Sequence, residues 1–524
     1  MAISDVDDPS LLFIWTDQQA AATISAYGND DIETPNLDAL AADSVVVDRA
    51  YASQSVCTPS RSTVLTGKYP HSNSLSENNE RLPADAQCFP ELAGFEEYTT
   101  AFMGKWHLGD EIFAQHGFEE WVALEDQYHH YYSEEYPDDA HSAYHGYLLD
   151  QGYEPDVVEE DGFRYFSRGW VANNVPEEHS KPAFLASEAS RFIREHRDEP
   201  FILHVMFLEP HQPYTSPRDD QYDPDEVPLP DNFEHDGLTD QPLDVRFARE
   251  SLRQGVDFRA SHILGDDPGP GEWRELVSRY WGLVSLVDTH VGRILDTVEE
   301  CGLVDETITV YTSDHGEMAG SHQLYSKMNQ FEESIRVPLL LRLPGVERNG
   351  ERVENPLSQV DLVPTLLEAM GRPRPSHLQG YSWMPFLRGE GDLVEENVFV
   401  EWNGSHNIGF HGRYSDYLET PKTRPHPDPE HRAVWDDLLE REGREPLTEA
   451  DLRRLMTDPV RTVLTPEGWK LNFRRSGDHE LYDLSTDPGE TENLALDGDH
   501  DDVIDRLSEL IFDWQKRTQD PVSV

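Results

Sequence analysis

Three short apolar runs, each ending abruptly at polar residues, organise the first part of the chain. They lie within residues 11–15 (LLFIW), 200–211 (PFILHVMFLEPH) and 306–317 (ETITVYTSDHGE). A continuous apolar run of this length, bounded by polar residues, is typical of a strand buried on both faces of a parallel sheet. The three runs therefore predict three strands at the centre of one sheet.

A long helix with one apolar face is predicted between the second and the third run. Within residues 272–301, apolar side chains recur at helical spacing, and they are Leu276, Tyr280, Leu283, Val287, Val291, Ile294 and Val298. Strands that alternate with such helices predict an α/β core, with a central, mostly parallel sheet between helices. Ligands bind such sheets at the carboxyl ends of the strands. There the chain carries Asp17-Gln18, His211 and Asp314-His315.

The pattern changes near residue 395. The segments NVFVEW, RTVLTPEGWKLNF and HELYDLSTDPGETENLA predict short strands joined by turns, and residues 502–517 predict a last helix. We therefore expect a large catalytic domain, residues 1–394, and a smaller C-terminal α+β domain, residues 395–524, with a short antiparallel sheet.

Two segments interrupt the alternation of strands and helices. Residues 125–153 are dense in Tyr, His and acidic residues, and residues 213–270 are acidic and rich in proline. Both are expected to be long surface excursions. The rings of the first segment could line a pocket and stack on a sugar, or they could belong to an ordinary solvated loop whose tyrosines pack on the core.

The charge balance is extreme, because 102 acidic residues face 42 basic ones and the formal net charge is −60. A surface of this sign repels nucleic acid and anionic membranes, so neither is expected as a partner. The acidic residues are spread along the chain among plentiful apolar residues, which argues against disorder. Only seven of the basic residues are lysines. This composition resembles that of proteins from salt-loving organisms, in which salt screens the self-repulsion.

Cysteine is rare, and the chain shows no sign of a leader sequence. Cys57, Cys88 and Cys301 are odd in number and lack C-x-x-C spacing, so neither a disulfide framework nor a zinc–cysteine site is expected. The opening residues, MAISDVDDPS, contain neither the basic nor the apolar part of a secretion signal. No apolar run approaches the length of a membrane span. We therefore expect a cytoplasmic protein.

The segment SVCTPSRSTVLTGKYPH places Cys57 at the predicted start of a helix. Pro59 suits a first helical turn, where a missing backbone N–H costs nothing, and Arg61 follows Cys57 by about one turn. A helix N-terminus offers a positive field and unpaired amides, which suit an anion or a reactive group. A small buried thiol is the alternative interpretation. The segment alone leaves both open.

A set of motifs in a fixed order resembles that of the type I sulfatases, a family of the alkaline phosphatase superfamily. The motifs are WTDQ, CTPSR, STVLTGKYPH, GKWHLG, EPHQPY, TSDHGE, GSHQLYSK, QVDLVPTLLEAMG and LYDLSTDPGETENLA. A single motif is weak evidence, whereas an ordered set that spans nearly the whole chain is specific. The resemblance implies an alkaline-phosphatase-like fold for the large domain. It also implies that Cys57 becomes formylglycine, since Cys57, Pro59 and Arg61 fit the modification signature Cys-x-Pro-x-Arg.

The resemblance further implies how such a site works. Hydrated formylglycine carries two hydroxyls, of which one attacks the sulfur or phosphorus centre and the second lets the resulting ester collapse with release of sulfate. One divalent cation lowers the pKa of the diol, and its implied ligands are Asp17, Gln18, Asp314, His315 and the diol oxygen of residue 57. Gln18 departs from the common pattern, which has a second aspartate there. Mostly oxygen ligands favour Ca²⁺ or Mg²⁺, while His315 keeps Mn²⁺ open.

By the same resemblance, the implied catalytic residues are Cys57, Arg61, Lys105, His107, His211 and Lys327. Arg61, Lys105 and Lys327 would neutralise the sulfate oxygens or support the nucleophile. His107 would take a proton as the ester at residue 57 collapses. His211, with Lys327, would lie near the leaving oxygen and protonate it.

The sequence thus predicts a sulfuric ester hydrolase that cleaves a sulfate monoester of a carbohydrate or of a small alkyl or aryl alcohol. A formylglycine-generating enzyme is the implied partner during maturation. One alternative is a phosphonate monoester or phosphodiester hydrolase that uses the same site, because some of those enzymes also carry Asp-Gln after the first strand. The other is a non-catalytic binding protein on this scaffold, which the intact motifs disfavour.

The charge composition generates a prediction about salt. We expect the thermal midpoint to rise by about 10 °C or more between dilute buffer and molar KCl, because salt screens the repulsion among the acidic residues. A thermal melt followed by circular dichroism across a salt series measures this. A midpoint that stays flat across the series would contradict the interpretation as a salt-adapted protein.

Overall fold

A computed structural model of the chain describes residues 8–524 except for residues 93, 130–131, 134–135, 138, 160–161, 168, 235–239, 257–262, 392, 394–396 and 405–428. In chain order the strands are β1 (Ser10–Asp17), β2 (Val45–Tyr51), β3 (Thr99–Gly104), β4 (Glu120–Ala123), β5 (Val157–Val158), β6 (Arg164–Tyr165), β7 (Phe201–Pro210), β8 (Thr307–Ser313), β9 (Arg336–Val337), β10 (Leu339–Arg342), β11 (Arg352–Ser358), β12 (Val398–Trp402), β13 (Val460–Leu464), β14 (Trp469–Arg474) and β15 (Glu480–Asp483).

The helices, in the same order, are α1 (Pro35–Ala42), α2 (Cys57–Thr66), α3 (Ala143–Asp150), α4 (Trp170–Asn173), α5 (Lys181–Glu195), α6 (Leu243–Arg253), α7 (Pro270–Glu300), α8 (Glu332–Ile335), α9 (Leu362–Ala369), α10 (Met384–Leu387), α11 (Pro429–Arg441), α12 (Glu449–Met456) and α13 (Asp501–Thr518). Within the described ranges, no helix combines the length and the apolar character that crossing a membrane requires.

The central sheet has the strand order β11-β2-β10-β8-β1-β7-β3-β4, and β9 pairs with β2. Strand β1 runs parallel to both of its neighbours, β7 and β8, and β3 runs parallel to β7 and β4. Strand β10 is antiparallel to β8 and β2. The three apolar runs therefore form three adjacent strands in a mostly parallel sheet, as predicted, and all of their carboxyl ends meet at one edge.

Apolar side chains fill both faces of this sheet. Along β1 they alternate, so that Leu11, Phe13 and Trp15 join one apolar cluster and Leu12 and Ile14 join the other. Helices α2 and α9 cover the first face, and helices α1, α5 and α7 cover the second. The residues of the predicted apolar face of α7 are all buried. Burial on both sides explains why β1 reads as a continuous apolar run.

A smaller antiparallel sheet follows in the chain, with the order β12-β13-β14-β15. Helix α13 packs Leu507, Ile511 and Trp514 against this sheet, where they contact the cluster that contains Phe399 and Leu471. This agrees with the predicted short antiparallel sheet and last helix. The predicted boundary between residues 394 and 395 lies outside the described residues, so the division into two domains stays a prediction.

The two predicted surface excursions each contain a buried helix, so the expectation is wrong for these helices, whereas the packing of Tyr144 on the core agrees with one of the two alternatives for the first segment. Helix α3 lies within residues 125–153 and buries Tyr144 and Leu148 in the core. Helix α6 lies within residues 213–270 and buries Leu243 and Phe247. Helix α3 offers few apolar residues at helical spacing over only eight residues, too short a stretch for the period to be recognised.

Candidate active site

Four side chains that the sequence predicts as metal ligands meet at the carboxyl edge of the central sheet. Asp17 ends β1, Asp314 and His315 follow β8, and Cys57 begins α2. Their ligand atoms all lie within 4.8 Å of one another, and all four residues are buried. His315 Nε2 lies 3.3 Å from Cys57 Sγ and 3.6 Å from Asp17 Oδ1. Because β1 and β8 are parallel neighbours, their carboxyl ends bring residues together that are far apart in sequence.

The donor atoms of this cluster fit a divalent cation. Two carboxylates and one imidazole nitrogen face the same point, and the Cys57 thiol holds the position that the resemblance assigns to a diol oxygen. His315 donates its Nδ1 proton to the Gly316 carbonyl over 2.9 Å, so the lone pair of Nε2 is directed at the cluster. A cation would neutralise carboxylates that are buried away from water.

Arg61 and Lys105 already balance part of the negative charge. Arg61 donates from Nη2 to Asp17 over 2.8 Å and from Nε to Asp314 over 3.0 Å. Lys105 Nζ donates to Asp17 over 2.7 Å. Arg61 also donates from Nη1 to the Lys105 backbone carbonyl over 2.6 Å. Arg61 is fully buried and each of its three nitrogens donates a hydrogen bond within the site, so its geometry favours support of the site over contact with substrate.

The pKa values of the cluster reflect this crowding of charges. Burial alone raises the pKa of the Asp17 carboxyl, but the nearby cations, Lys105 foremost, outweigh it and hold the pKa well below its usual value. Burial and then Asp17 raise the pKa of the Cys57 thiol, while cations led by Lys327 bring it below the ordinary value. Burial lowers the pKa of His315, but Asp314 reverses the effect and the net pKa is raised. The site therefore favours the ionised forms of Asp17 and Cys57, while His315 would lose its Nε2 proton on coordinating a cation.

Gln18 is held by a buried carboxylate that the sequence analysis did not assign. Its amide nitrogen donates to Glu317 Oε2 and, over 2.8 Å, to Gln212 Oε1. Its amide oxygen accepts a 2.6 Å hydrogen bond from Lys327 Nζ, which also lies 3.1 Å from Cys57 Sγ. Glu317 thus fixes the amide so that its oxygen lies on the side of the cluster.

The GKWH turn is shaped by close packing and by a second buried carboxylate. A Cβ added to Gly104, at φ +128°, would lie 1.9 Å from the Met206 carbonyl oxygen, so only glycine fits there. Glu111 accepts hydrogen bonds from the backbone N–H groups of Trp106 and His107 over 2.7 and 2.6 Å. Burial, with Glu125 adding to it, raises the pKa of Glu111 to about 7.

His107 lies beside the first turn of α2, where its carbonyl accepts a hydrogen bond from Thr58 Oγ1 over 2.7 Å. Its ring stacks on Tyr128 with the centroids 4.7 Å apart, and its Nε2 lies 2.8 Å from Asn79 Oδ1. An amide oxygen only accepts, so Nε2 carries a proton. Tyr128 and Asn79 therefore hold the imidazole that the resemblance assigns to proton transfer.

His211 lies directly after β7, at the same edge of the sheet. Its Nδ1 donates to the Gln212 carbonyl over 2.7 Å, which makes Nε2 the basic nitrogen of the neutral ring. When it is protonated, His211 is among the cations that lower the pKa of Asp17. The structure thus brings every predicted site residue to one edge of the sheet.

The sequence analysis missed four residues that position this site, namely Glu317, Glu111, Asn79 and Tyr128. Glu317 ends the TSDHGE motif and Glu111 follows GKWHLG closely, so both lay within or beside recognised segments. A carboxylate in such a motif could have indicated a buried side chain that accepts hydrogen bonds from backbone or side-chain amides. Nothing in the sequence marks Asn79, and Tyr128 was noted only as part of the Tyr-rich segment 125–153, because their roles depend on loops that approach His107 from elsewhere.

Comparisons with known proteins extend over nearly the whole chain. A family model described as Sulfatase matches residues 9–372. The chain is 27% identical to an N-acetylglucosamine-6-O-sulfatase of Bacteroides thetaiotaomicron, over 98% of this chain and 87% of that protein. It is 29% identical to an ulvan-active sulfatase of Formosa agariphila, over 75% and 67%. A solved structure of a phosphonate monoester hydrolase from Silicibacter pomeroyi is 25% identical, with a TM-score of 0.74 over 98% and 96%. These likenesses support the fold expected of the alkaline phosphatase superfamily.

The contact between Gln18 and Glu317 generates a prediction. The Glu317 carboxylate accepts from Gln18, Tyr214 and the backbone N–H groups of Ala319 and Ser326. Glu317→Gln should therefore cost about 3 kcal/mol of stability, because the new amide places a donor against donors. Adding Gln18→Glu exchanges amide and carboxylate and should recover at least about 1 kcal/mol of this loss.

Denaturant melts of the two single variants and the double variant measure this coupling. Glu347→Gln, at an exposed position, serves as the control and should leave stability unchanged. Strictly additive effects of the two substitutions would show that the contact between residues 18 and 317 carries no energy.

Proposed function

Since the chain belongs to the sulfatase family and is a sulfuric ester hydrolase, we propose that it cleaves a sulfate monoester of a carbohydrate by means of a formylglycine formed from Cys57. The observation that carries this proposal is the buried cluster of Asp17, Cys57, Asp314 and His315 with Lys327 at its rim. The carbohydrate substrate is supported by the N-acetylglucosamine-6-O-sulfatase and the ulvan-active sulfatase among the relatives. The alternative substrate class is a sulfate ester of a small alkyl or aryl alcohol.

Residue 57 supplies the nucleophile in this proposal. Its thiol would be converted by a formylglycine-generating enzyme, for which the sequence Cys57-x-Pro59-x-Arg61 is the signature. The mature residue, once hydrated, supplies one hydroxyl for attack and a second for release of the sulfate. Lys327 Nζ, 3.1 Å from the present Sγ, would stabilise negative charge on the attacking oxygen and on the sulfate.

Asp17, Gln18, Asp314 and His315 would hold one divalent cation beside residue 57. We propose Ca²⁺, because oxygen donors predominate in this set. Mg²⁺ also binds oxygen donors, and the imidazole of His315 keeps Mn²⁺ as a further alternative. The bound cation would lower the pKa of the attacking hydroxyl and offset charge on the transferred group. Arg61 and Lys105 would keep the aspartates ionised and in place through the contacts described above.

Two histidines would divide the proton transfers. His211, at the end of β7, would protonate the leaving oxygen of the alcohol, while Lys327 neutralises the sulfate. His107, held by Tyr128 and Asn79, would take up the proton when the sulfate leaves residue 57. Both assignments follow the positions of these residues in the motifs of the family.

A phosphonate monoester or phosphodiester hydrolase is a second candidate. The specific observation in its favour is Gln18, since the amide contributes one negative charge fewer than the second aspartate common in sulfatases. The likeness to a phosphonate monoester hydrolase structure agrees with it. A panel of sulfated sugars, aryl sulfates and phosphonate monoesters, tested on matured protein in high salt, separates the two. A kcat/KM for phosphonates above that for every sulfate ester would favour the second candidate.

The role of residue 57 gives a direct prediction. Cys57→Ala should lower kcat by at least about a thousandfold with little change in stability, because it removes the nucleophile but little packing volume. Cys301→Ala and Cys88→Ala are the controls and should keep activity. Intact mass shows maturation as a decrease of roughly 18 Da in the active chain. Activity that persists in Cys57→Ala, or full activity without the mass change, would refute the mechanism.

The proposed division of the proton transfers between His211 and His107 gives a further prediction. His211→Ala should lose most rate on esters of weakly acidic alcohols and least on activated aryl sulfates, because a good leaving group departs without a proton. His107→Ala should release about one equivalent of alcohol rapidly and then turn over slowly. Rapid-quench kinetics across leaving groups measure both. Equal losses on every ester, with no burst, would contradict the assignment.

A further inference from the structure

A second group of ligating side chains lies apart from the residues around Cys57. It consists of Asp126, His141 and His145, whose ligand atoms all lie within 4.8 Å of one another. Asp126 Oδ2 is 3.0 Å from His141 Nδ1 and 2.8 Å from His145 Nδ1. Two imidazole nitrogens therefore converge on the same carboxylate oxygen.

The carboxylate and one imidazole are held rigidly. Asp126 has a side chain only 1% exposed, and its other oxygen accepts a 2.9 Å hydrogen bond from Ser167 Oγ. His145 lies in the first turn of α3, where Ser142 Oγ caps the helix by accepting from the His145 backbone N–H. A fixed carboxylate with its own hydrogen-bond partner and a helix-borne histidine are features of preorganised metal sites.

The arrangement of the two imidazoles suits a shared cation. Their rings stack with centroids 3.8 Å apart and planes 25° apart. Both Nδ1 atoms point to the same oxygen, so the ring dipoles lie side by side in the same direction and repel each other. A cation bound by both Nδ1 lone pairs, with the ring protons on Nε2, would attract both dipoles and offset this repulsion. Two ligands at ordinary Zn–N distances from a tetrahedral ion are themselves about 3.4 Å apart, and the ligand atoms of this cluster all lie within 4.8 Å of one another.

The cluster opens onto a pocket of about 700 Å³, whose lining includes His141, His145, Asp139 and Arg164. Ions can enter by this route, because the His141 side chain is 34% exposed. Three protein ligands leave coordination positions that water or a small anion in the pocket can take. Two nitrogens and one oxygen suit late first-row metals better than Ca²⁺ or Mg²⁺.

We propose that Asp126, His141 and His145 form a second metal site, for Zn²⁺ or a similar late first-row divalent ion, with open coordination positions that face this pocket. The site uses different residues from the cluster around Cys57, so it does not depend on the proposed function. The sequence neighbours of Asp126 nevertheless contact residues of the catalytic site. Glu125 Oε2 lies 4.0 Å from Lys105 Nζ, and Tyr128 stacks on His107.

The test is a Zn²⁺ titration by calorimetry on the intact protein at pH 7.5, with the principal site kept saturated by millimolar Ca²⁺. We expect one equivalent of Zn²⁺ to bind, and His141→Ala to weaken this binding by at least about tenfold. His500→Ala is the matched control, because His500 is exposed to a similar extent, 31%, and faces one aspartate at 3.3 Å without a second imidazole. It should leave the binding unchanged.

Co²⁺ provides an independent readout that needs no substitution. With Ca²⁺ present, one equivalent of Co²⁺ should give visible absorption bands typical of nitrogen and oxygen ligands, and Zn²⁺ should abolish them by displacement. Absence of these bands in the unsubstituted protein would overturn the proposal. Equal Zn²⁺ binding in His141→Ala and His500→Ala, both checked for folding by circular dichroism, would overturn it as well.

Discussion

The ion-pair network around Arg61 is the interaction on which the catalytic edge of the sheet depends. One buried guanidinium joins Asp17 at the end of β1 to Asp314 after β8, and it also binds the carbonyl of Lys105 after β3. Removing it would leave two buried carboxylates with too little compensating charge, which is far costlier than losing a surface pair. The network thus holds three strand ends and the start of α2 in one arrangement. The proposed cation and the substrate sulfate would bind against this balance of charges.

The sequence was informative where the physics is local or the motif is specific. The apolar runs identified β1, β7 and β8 because strands buried on both faces leave an unbroken apolar segment. The long helix α7 was recognisable because its apolar face repeats over many turns. The motifs placed Asp17, Cys57, Asp314 and His315 at one edge, since parallel neighbours must end on the same side.

What the sequence did not reveal depends on contacts between distant segments. Glu317 belongs to a motif that the sequence analysis recognised, but only the structure shows that it accepts a hydrogen bond from the amide of Gln18. The role of Arg61 could be stated only as a choice between substrate and nucleophile until its donors were seen in use. Helix α3 escaped notice because it is short, and the convergence of His141 and His145 on Asp126 depends on that helix.

The burial of Cys57 has a consequence for the order of events in the life of the chain. In the folded protein its side chain is inaccessible, beneath Lys327 and against His315. Both of those residues follow β8, which the ribosome adds long after Cys57. The modifying enzyme of the proposed function would therefore have to reach this thiol before the second half of the sheet docks. If Cys57 matures as proposed, maturation and folding would compete in time, and a molecule that folds first would keep its thiol and lack the proposed nucleophile.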